Sequence, residues 1–272
     1  MKQVKTILLK IESAVKMGIS KPLKTKGLQK IINTNAYTNI PIYVISYNRL
    51  DYLSQTIKWL EERGYQNIKI IDNHSTYEPL LKYLKKVKYK KYMMKKNWGH
   101  TVFFKAPIFF FKRNFQYFIL TDPDLCPLQE CPNDFIEQFC KIMNRHPEYT
   151  KVGFSLKLDD IPEGYYLKEE VLEWESKFYN RLIASESQCD CYDANIDTTF
   201  ALNEPRIFTS YINRYKGIRT GVPYQVRHLP WYVTQQSEQE KFYIKSLRRD
   251  VSNWNGNVSK EQMQKRIKKH NI

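Results

Sequence analysis

Two short apolar runs, each stopped by a polar cluster and separated by one helical stretch, constrain this chain more than any other feature. Ile40-Pro41-Ile42-Tyr43-Val44-Ile45 is apolar and rich in β-branched residues, and it stops at Ser46-Tyr47-Asn48-Arg49. Leu53, Ile57 and Leu60 then recur at helical spacing, with Glu61 and Glu62 facing out and Gly64 as the stop. Ile68-Lys69-Ile70-Ile71 follows as a second strand and ends at Asp72-Asn73-His74-Ser75. Strand, helix and strand in about 35 residues predict a right-handed βαβ unit with parallel strands.

The same texture continues. A helix is predicted over 79–86, a short strand near 92–94, a loop at Lys96-Asn97-Trp98-Gly99-His100 and a helix over 102–113. Tyr117-Phe118-Ile119-Leu120 is a buried strand ending in Thr121-Asp122-Pro123-Asp124. The polar clusters at 46–49, 72–75, 97–100 and 121–124 therefore all fall at or near the C-terminal ends of predicted parallel strands. In open α/β sheets that edge binds ligands, at the reversal of strand order. The expected fold class is α/β, a mixed, mainly parallel, Rossmann-like sheet flanked by helices. No G-x-G-x-x-G and no P-loop pattern is present, which disfavours the dinucleotide and P-loop routes.

Length and charge set the limits around that core. A chain of 272 residues holds one such domain, read here as 40–250, with a nucleotide-binding half at 40–125 and a second half at 126–250. The net charge of +16 is patchy: outside residues 1–39, 81–96 and 259–272 the chain carries 23 basic and 26 acidic residues. Such patches suit an anionic surface or ligand. In residues 1–39, Val4, Ile7, Leu8, Ile11 and Val15 share one helical face with lysines elsewhere, giving a basic amphipathic extension for a membrane surface or for the protein's own body. Residues 34–39 read as a linker, and 251–272 as a basic helical tail. The N-terminus lacks the apolar core of a secretory signal, and five cysteines are an odd count. Both point to a cytoplasmic protein with reduced thiols, peripheral at the inner face of the cell membrane if the extension binds lipid.

Asp122-Pro123-Asp124 carries the chemistry. Two carboxylates on one side of a short turn, just after a buried strand, suit a hard divalent cation, Mg²⁺ or Mn²⁺. Such an ion would bridge a diphosphate and neutralise the charge that builds as it leaves. Downstream, Arg219 and Arg227 present guanidinium groups matched to phosphate, and Trp231 and Tyr232 are candidates to line a sugar or acceptor site.

The run Ile42–Asn48, then Ile70-Ile71-Asp72-Asn73, then Leu120–Asp124 resembles the GT-A glycosyltransferases, particularly the family 2-like group, over roughly residues 40–235. That resemblance implies a metal-dependent transferase moving a sugar from a nucleotide sugar, a UDP-sugar foremost, to a hydroxyl of a glycan or lipid-linked acceptor in surface polysaccharide synthesis. It implies nucleoside contacts from Ser46, Asn48, Arg49 and Asp72, and a further nucleotide-side loop at Asn97, Gly99 and His100. Asp122 and Asp124 match the family's metal motif, and His228 fits a further ligand, imidazole suiting Mn²⁺ better than Mg²⁺. Asp197, 73 positions beyond Asp124, is the candidate base for the acceptor hydroxyl, and Glu175 competes with it. Inversion follows from a single displacement with such a base; retention follows if Asp197 is not opposite the leaving group. Two alternatives stand beside this reading: a sugar-phosphate nucleotidyltransferase, and a basic nucleic-acid- or anionic-lipid-binding protein without catalysis. The transferase reading expects no nucleic-acid partner.

Overall fold

The structure is a computed structural model that describes residues 24–185, 188–208, 216–233, 235–247 and 259–270. The amphipathic face from Val4 to Val15 lies outside these residues. Residues 24–33 form helix α1, which belongs to the body and does not trail from it. Leu28 is 1% exposed, and Lys24 is buried, ion-paired with Glu204 and donating to the carbonyls of Pro147 and Tyr149. The stretch 34–39 read as a linker is a turn at 34–35 followed by a 3-10 turn, Ala36–Asn39, sealed by buried Tyr37.

Alternation along β1 (Ile42–Ser46) sets the layers. Ile42 and Val44 enter one apolar cluster, Tyr43 and Ile45 the other, so the strand is buried on both faces, as a central parallel strand requires. β2 (Ile68–Asp72) pairs in parallel with β1 and puts Asp72 beside Ser46. β3 (Lys90–Met93) adds in parallel beyond β2, and β4 (Phe118–Thr121) joins in parallel on the other side of β1. The order β3-β2-β1-β4 reverses between β1 and β4, which leaves a crevice above their C-terminal ends.

The second half turns the sheet mixed. β9 (Ala201–Asn203) lies antiparallel between β4 and β6 (Lys151–Leu156). β10 (Gly217–His228) runs parallel to β6, and β8 (Asp190–Asp193) and β7 (Leu182–Ser185) extend that side antiparallel. β5 (Leu125–Pro127) pairs antiparallel with the end of β10, bringing His228 opposite Leu125. This is an α/β architecture with a mixed, largely parallel central sheet.

Helices cover both faces. α2 (Leu50–Glu62) buries Leu53, Thr56, Ile57 and Leu60 at helical spacing. α3 (Glu78–Lys86) starts with proline in its first turn, where the missing N–H costs nothing. α6 (Phe135–Arg145) packs on the same side as α2 through Phe135, Phe139 and Met143. The helix expected over 102–113 is broken. α4 (Val102–Lys105) ends because Pro107 forces Ala106 into an extended conformation, and α5 (Phe110–Phe115) follows after one 3-10 turn. α7 (Lys168–Glu175) adds Val171 to the cluster that α2 and α6 join, and α8 (Glu238–Ser246) crosses the loop after β1. α9 (Lys260–His270) docks Met263 beside Leu167, so the described part of the basic tail is packed. No helix among the described residues is long and apolar enough to cross a membrane.

Candidate active site

A cavity of about 850 Å³ opens above the C-terminal ends of β1, β2 and β4, and Asp122, Pro123 and Asp124 form part of its lining. The turn that carries them is held from three directions. The Asp122 N–H donates to the Thr198 carbonyl at 3.1 Å, and the Thr198 hydroxyl donates to Asp122 Oδ2. Thr56 Oγ1 donates to the Pro123 carbonyl at 2.7 Å. Asp124 Oδ2 accepts from Arg49 Nη1 at 2.5 Å, and His228 Nε2 stands 3.6 Å from the same oxygen. The β5–β10 pairing puts the imidazole there, reinforced by the Leu229 N–H bonded to the Asp124 carbonyl at 2.9 Å.

The two carboxyls are driven apart in proton affinity. Burial and the neighbouring Asp124 charge raise Asp122 well above the usual carboxylate range, against the Thr198 hydrogen bond. Burial also pushes Asp124 upward, but His228 and Arg49 outweigh it and hold that group down to about 2. The protonation of Asp122 is therefore tied to the charge that Asp124 carries beside it.

Arg49 is the cation already present. Its guanidinium forks onto Glu240, Nη2 to Oε1 at 2.5 Å and Nε to Oε2 at 3.1 Å, while Tyr243 stacks at 3.6 Å. The expected nucleotide contact is thus a buried link between the loop after β1, the carboxylate pair and α8. Among the described residues no three His, Cys, Asp or Glu side chains are grouped to hold a metal ion by themselves. Two carboxylates and a nearby imidazole nevertheless match an ion whose remaining ligands are substrate phosphate oxygens, the usual arrangement for Mg²⁺ and Mn²⁺. His228 Nδ1 is buried with no hydrogen-bond partner among the described residues, which leaves the ring's orientation to packing against Trp231.

The nucleoside side is displaced by one residue from the expectation. Ser46, Asn48 and Asp72 lie behind the cavity, whereas Tyr47 and Asn73 line it, because neighbouring side chains point to opposite sides where a strand ends. Asn48 Oδ1 accepts the N–H groups of Thr76 (2.7 Å) and Tyr77 (3.0 Å), clipping the loop after β2 to the loop after β1. Asp72 Oδ2 accepts the Ser75 N–H at 3.1 Å, while its buried Oδ1 has no partner among the described residues. Asn73 then ties in the third loop, donating to Asn97 Oδ1 at 2.9 Å and the Gly99 carbonyl at 3.0 Å. Gly99 takes φ +71°, a backbone conformation that suits glycine, and Asn97, Gly99 and His100 all line the cavity.

The same cavity lining sets the two candidate bases apart. Asp197 is exposed, lines the cavity and makes no hydrogen bond or ion pair among the described residues; its charge helps raise the neighbouring Asp122. Glu175 also lines the cavity, but it is buried and locked to Arg219 Nη1 at 2.7 Å. Arg219, which also lines the cavity, further donates to the Asn195 carbonyl and stacks on Phe178 at 3.9 Å, so the charge of each partner is already answered by the other. Arg227 and Tyr232 are corrected as well: both bind Asp160 and lie off the cavity. β10 alternation turns Arg227 away from the side that His228 faces. Trp231 reaches the cavity but is 1% exposed and sits edge-on to His228 at 4.8 Å, where it backs the imidazole.

The cations of this lining escaped the sequence reading. Lys151, at the start of β6, lines the cavity with Arg206. Burial lowers the Lys151 pKa, partly offset by Asp197. Nothing near Lys151 in the sequence marks it, since a lysine opening a strand is ordinary. Glu240 and Tyr243 were equally invisible, lying 191 and 194 positions from Arg49. No family model matches this chain, and no curated protein does either.

Proposed function

We propose that the chain is a metal-dependent glycosyltransferase of the GT-A kind, transferring a sugar from a nucleotide sugar, a UDP-sugar foremost, to a hydroxyl acceptor. One observation carries the reading. A carboxylate pair at the switch point of a largely parallel sheet, Asp124 buried and Asp122 half-buried, lines a cavity that also presents an unpaired carboxylate, Asp197, and a half-buried lysine, Lys151.

Asp122 and Asp124 would hold Mn²⁺ or Mg²⁺, with His228 beside them; when bound, the ion supplies Lewis-acid charge to the departing diphosphate. Arg49 keeps the pair neutralised and in place when no diphosphate is bound. Lys151 and Arg206 add positive charge to the cavity wall, ready for charge growing on the leaving group. Tyr47 and Asn73 orient the nucleoside, and Asp72 steadies the loop behind them through the Ser75 N–H. Asp197 takes the acceptor proton, since it alone of the two candidate bases is unpaired and solvent-facing. A single displacement assisted by that base inverts the anomeric carbon.

The test is nucleotide-sugar turnover by purified protein across a donor panel, with Asp124→Asn beside it. The expected outcome is turnover that needs Mn²⁺ or Mg²⁺ and falls at least about a hundredfold in the variant, with weakened metal affinity. Unchanged turnover and metal binding in Asp124→Asn would end the proposal.

A further inference from the structure

The boldest feature outside the cavity is a row of apolar side chains in water. Ile108, Phe110, Phe111 and Phe115 are 57%, 49%, 73% and 55% exposed. The Phe110 and Phe111 rings meet edge-on at 5.4 Å, and Phe111 stacks with Phe115 at 6.0 Å, so three of the four form one continuous front. Contiguous exposed apolar surface of this kind marks an interaction site, unlike scattered single residues. The segment is anchored from beneath by Phe109, packed on Tyr43, Tyr92 and Phe103.

The stretch of chain that carries this front bears charge of one sign. Between Glu78 and Asp122 the chain carries eleven basic residues and no acidic one. Lys90 and Lys112 both approach the Tyr92 ring, at 5.3 and 5.7 Å, and together with Lys69 and Gln116 they line a second cavity of about 560 Å³. Lys112 belongs to α5 itself, between Phe111 and Phe115 in the chain, so a basic side chain and the exposed rings share one short helix.

We propose that this face docks the protein on an anionic lipid bilayer. The phenylalanine and isoleucine side chains enter the boundary between headgroups and acyl chains, and Lys69, Lys90 and Lys112 meet the lipid phosphates. A polynucleotide answers the charge but not the front: Ile108 has no ring to stack on a base, and rings already packed on one another would stay wet. The inference holds whatever chemistry the cavity performs.

Co-sedimentation of the full chain with vesicles tests it. Vesicles of phosphatidylcholine alone are compared with phosphatidylcholine mixed with phosphatidylglycerol, for the parent, the Phe111→Asp/Phe115→Asp double variant and the Lys90→Ala/Lys112→Ala double variant. The parent is expected to bind only the mixed vesicles, and each double variant to bind about tenfold less or weaker still. Thermal melting should be unchanged in the first variant, since both rings are more than half exposed. The proposal is overturned if the double variants bind as the parent does, which places the contact elsewhere, including residues 1–23. It is equally overturned if the parent ignores anionic vesicles, whether it instead retains an oligonucleotide or forms a dimer that the phenylalanine variant splits.

Discussion

Glu175 and Asp197 are both acids lining one cavity, and their partners make them different residues. Glu175 faces a buried guanidinium at 2.7 Å, while Asp197 faces solvent and substrate space. Glu175→Gln leaves Arg219 charged and unpaired in the interior, and breaking such a pair costs about 3–5 kcal/mol. Denaturant unfolding should register that loss, while the folded fraction keeps its kcat. Asp197→Asn is expected to do the reverse, lowering kcat by about 10²–10⁴-fold with stability and nucleotide affinity unchanged. If the two variants exchange these behaviours in paired melting and turnover measurements, Glu175 is the base.

At the scale of elements, the site depends on how closely three strands approach. Gly153 in β6 faces β9, and a Cβ there would lie 3.0 Å from both the Ala201 Cα and the Thr199 carbonyl oxygen. Those are backbone atoms, so the strands themselves would have to part. β9 is fed by the turn that carries Asp197 and the Thr198 clamp on Asp122. Gly153→Ala should therefore cost about 1–3 kcal/mol and also lower kcat, though the added methyl touches no substrate. Melting temperature and steady-state kinetics on one preparation check both; a stability loss with kcat intact would uncouple the strand from the site. α8 acts at the same scale. Tyr47 donates to the Ser246 carbonyl at 2.9 Å and Asn48 Nδ2 to Ser246 Oγ at 2.9 Å, so one late helix braces the loop after β1.

For the whole molecule, charge and cavity make separate claims. The +16 charge predicts salt-sensitive attraction to any polyanion, whereas the cavity predicts a specific ligand. UDP with Mn²⁺ at roughly a hundredfold excess over Kd should stabilise the fold by about 2.7 kcal/mol. For a chain near this size each kcal/mol raises Tm by about 2–4 °C. A thermal shift with UDP and Mn²⁺ that survives added salt, beside little shift with an oligonucleotide, supports the transferase proposal. The opposite pattern favours polyanion binding without catalysis.

What the sequence by itself determined was local and periodic. The βαβ unit, the strand ends at 46, 72 and 121, and the place of Asp122 and Asp124 were all legible, because apolar alternation and helical spacing act within a few residues. Even there the reach was limited: Pro107 divided a predicted helix, and a one-residue parity error put Ser46 and Asp72 where Tyr47 and Asn73 face the cavity. Only the tertiary structure decided who is paired with whom. Arg49 with Glu240, Glu175 with Arg219 and Arg227 with Asp160 are joined across 191, 44 and 67 positions. Such pairs leave no period to read. Whether a charged side chain is a brace or a reagent depends on the opposite charge that folding brings within about 3 Å of it.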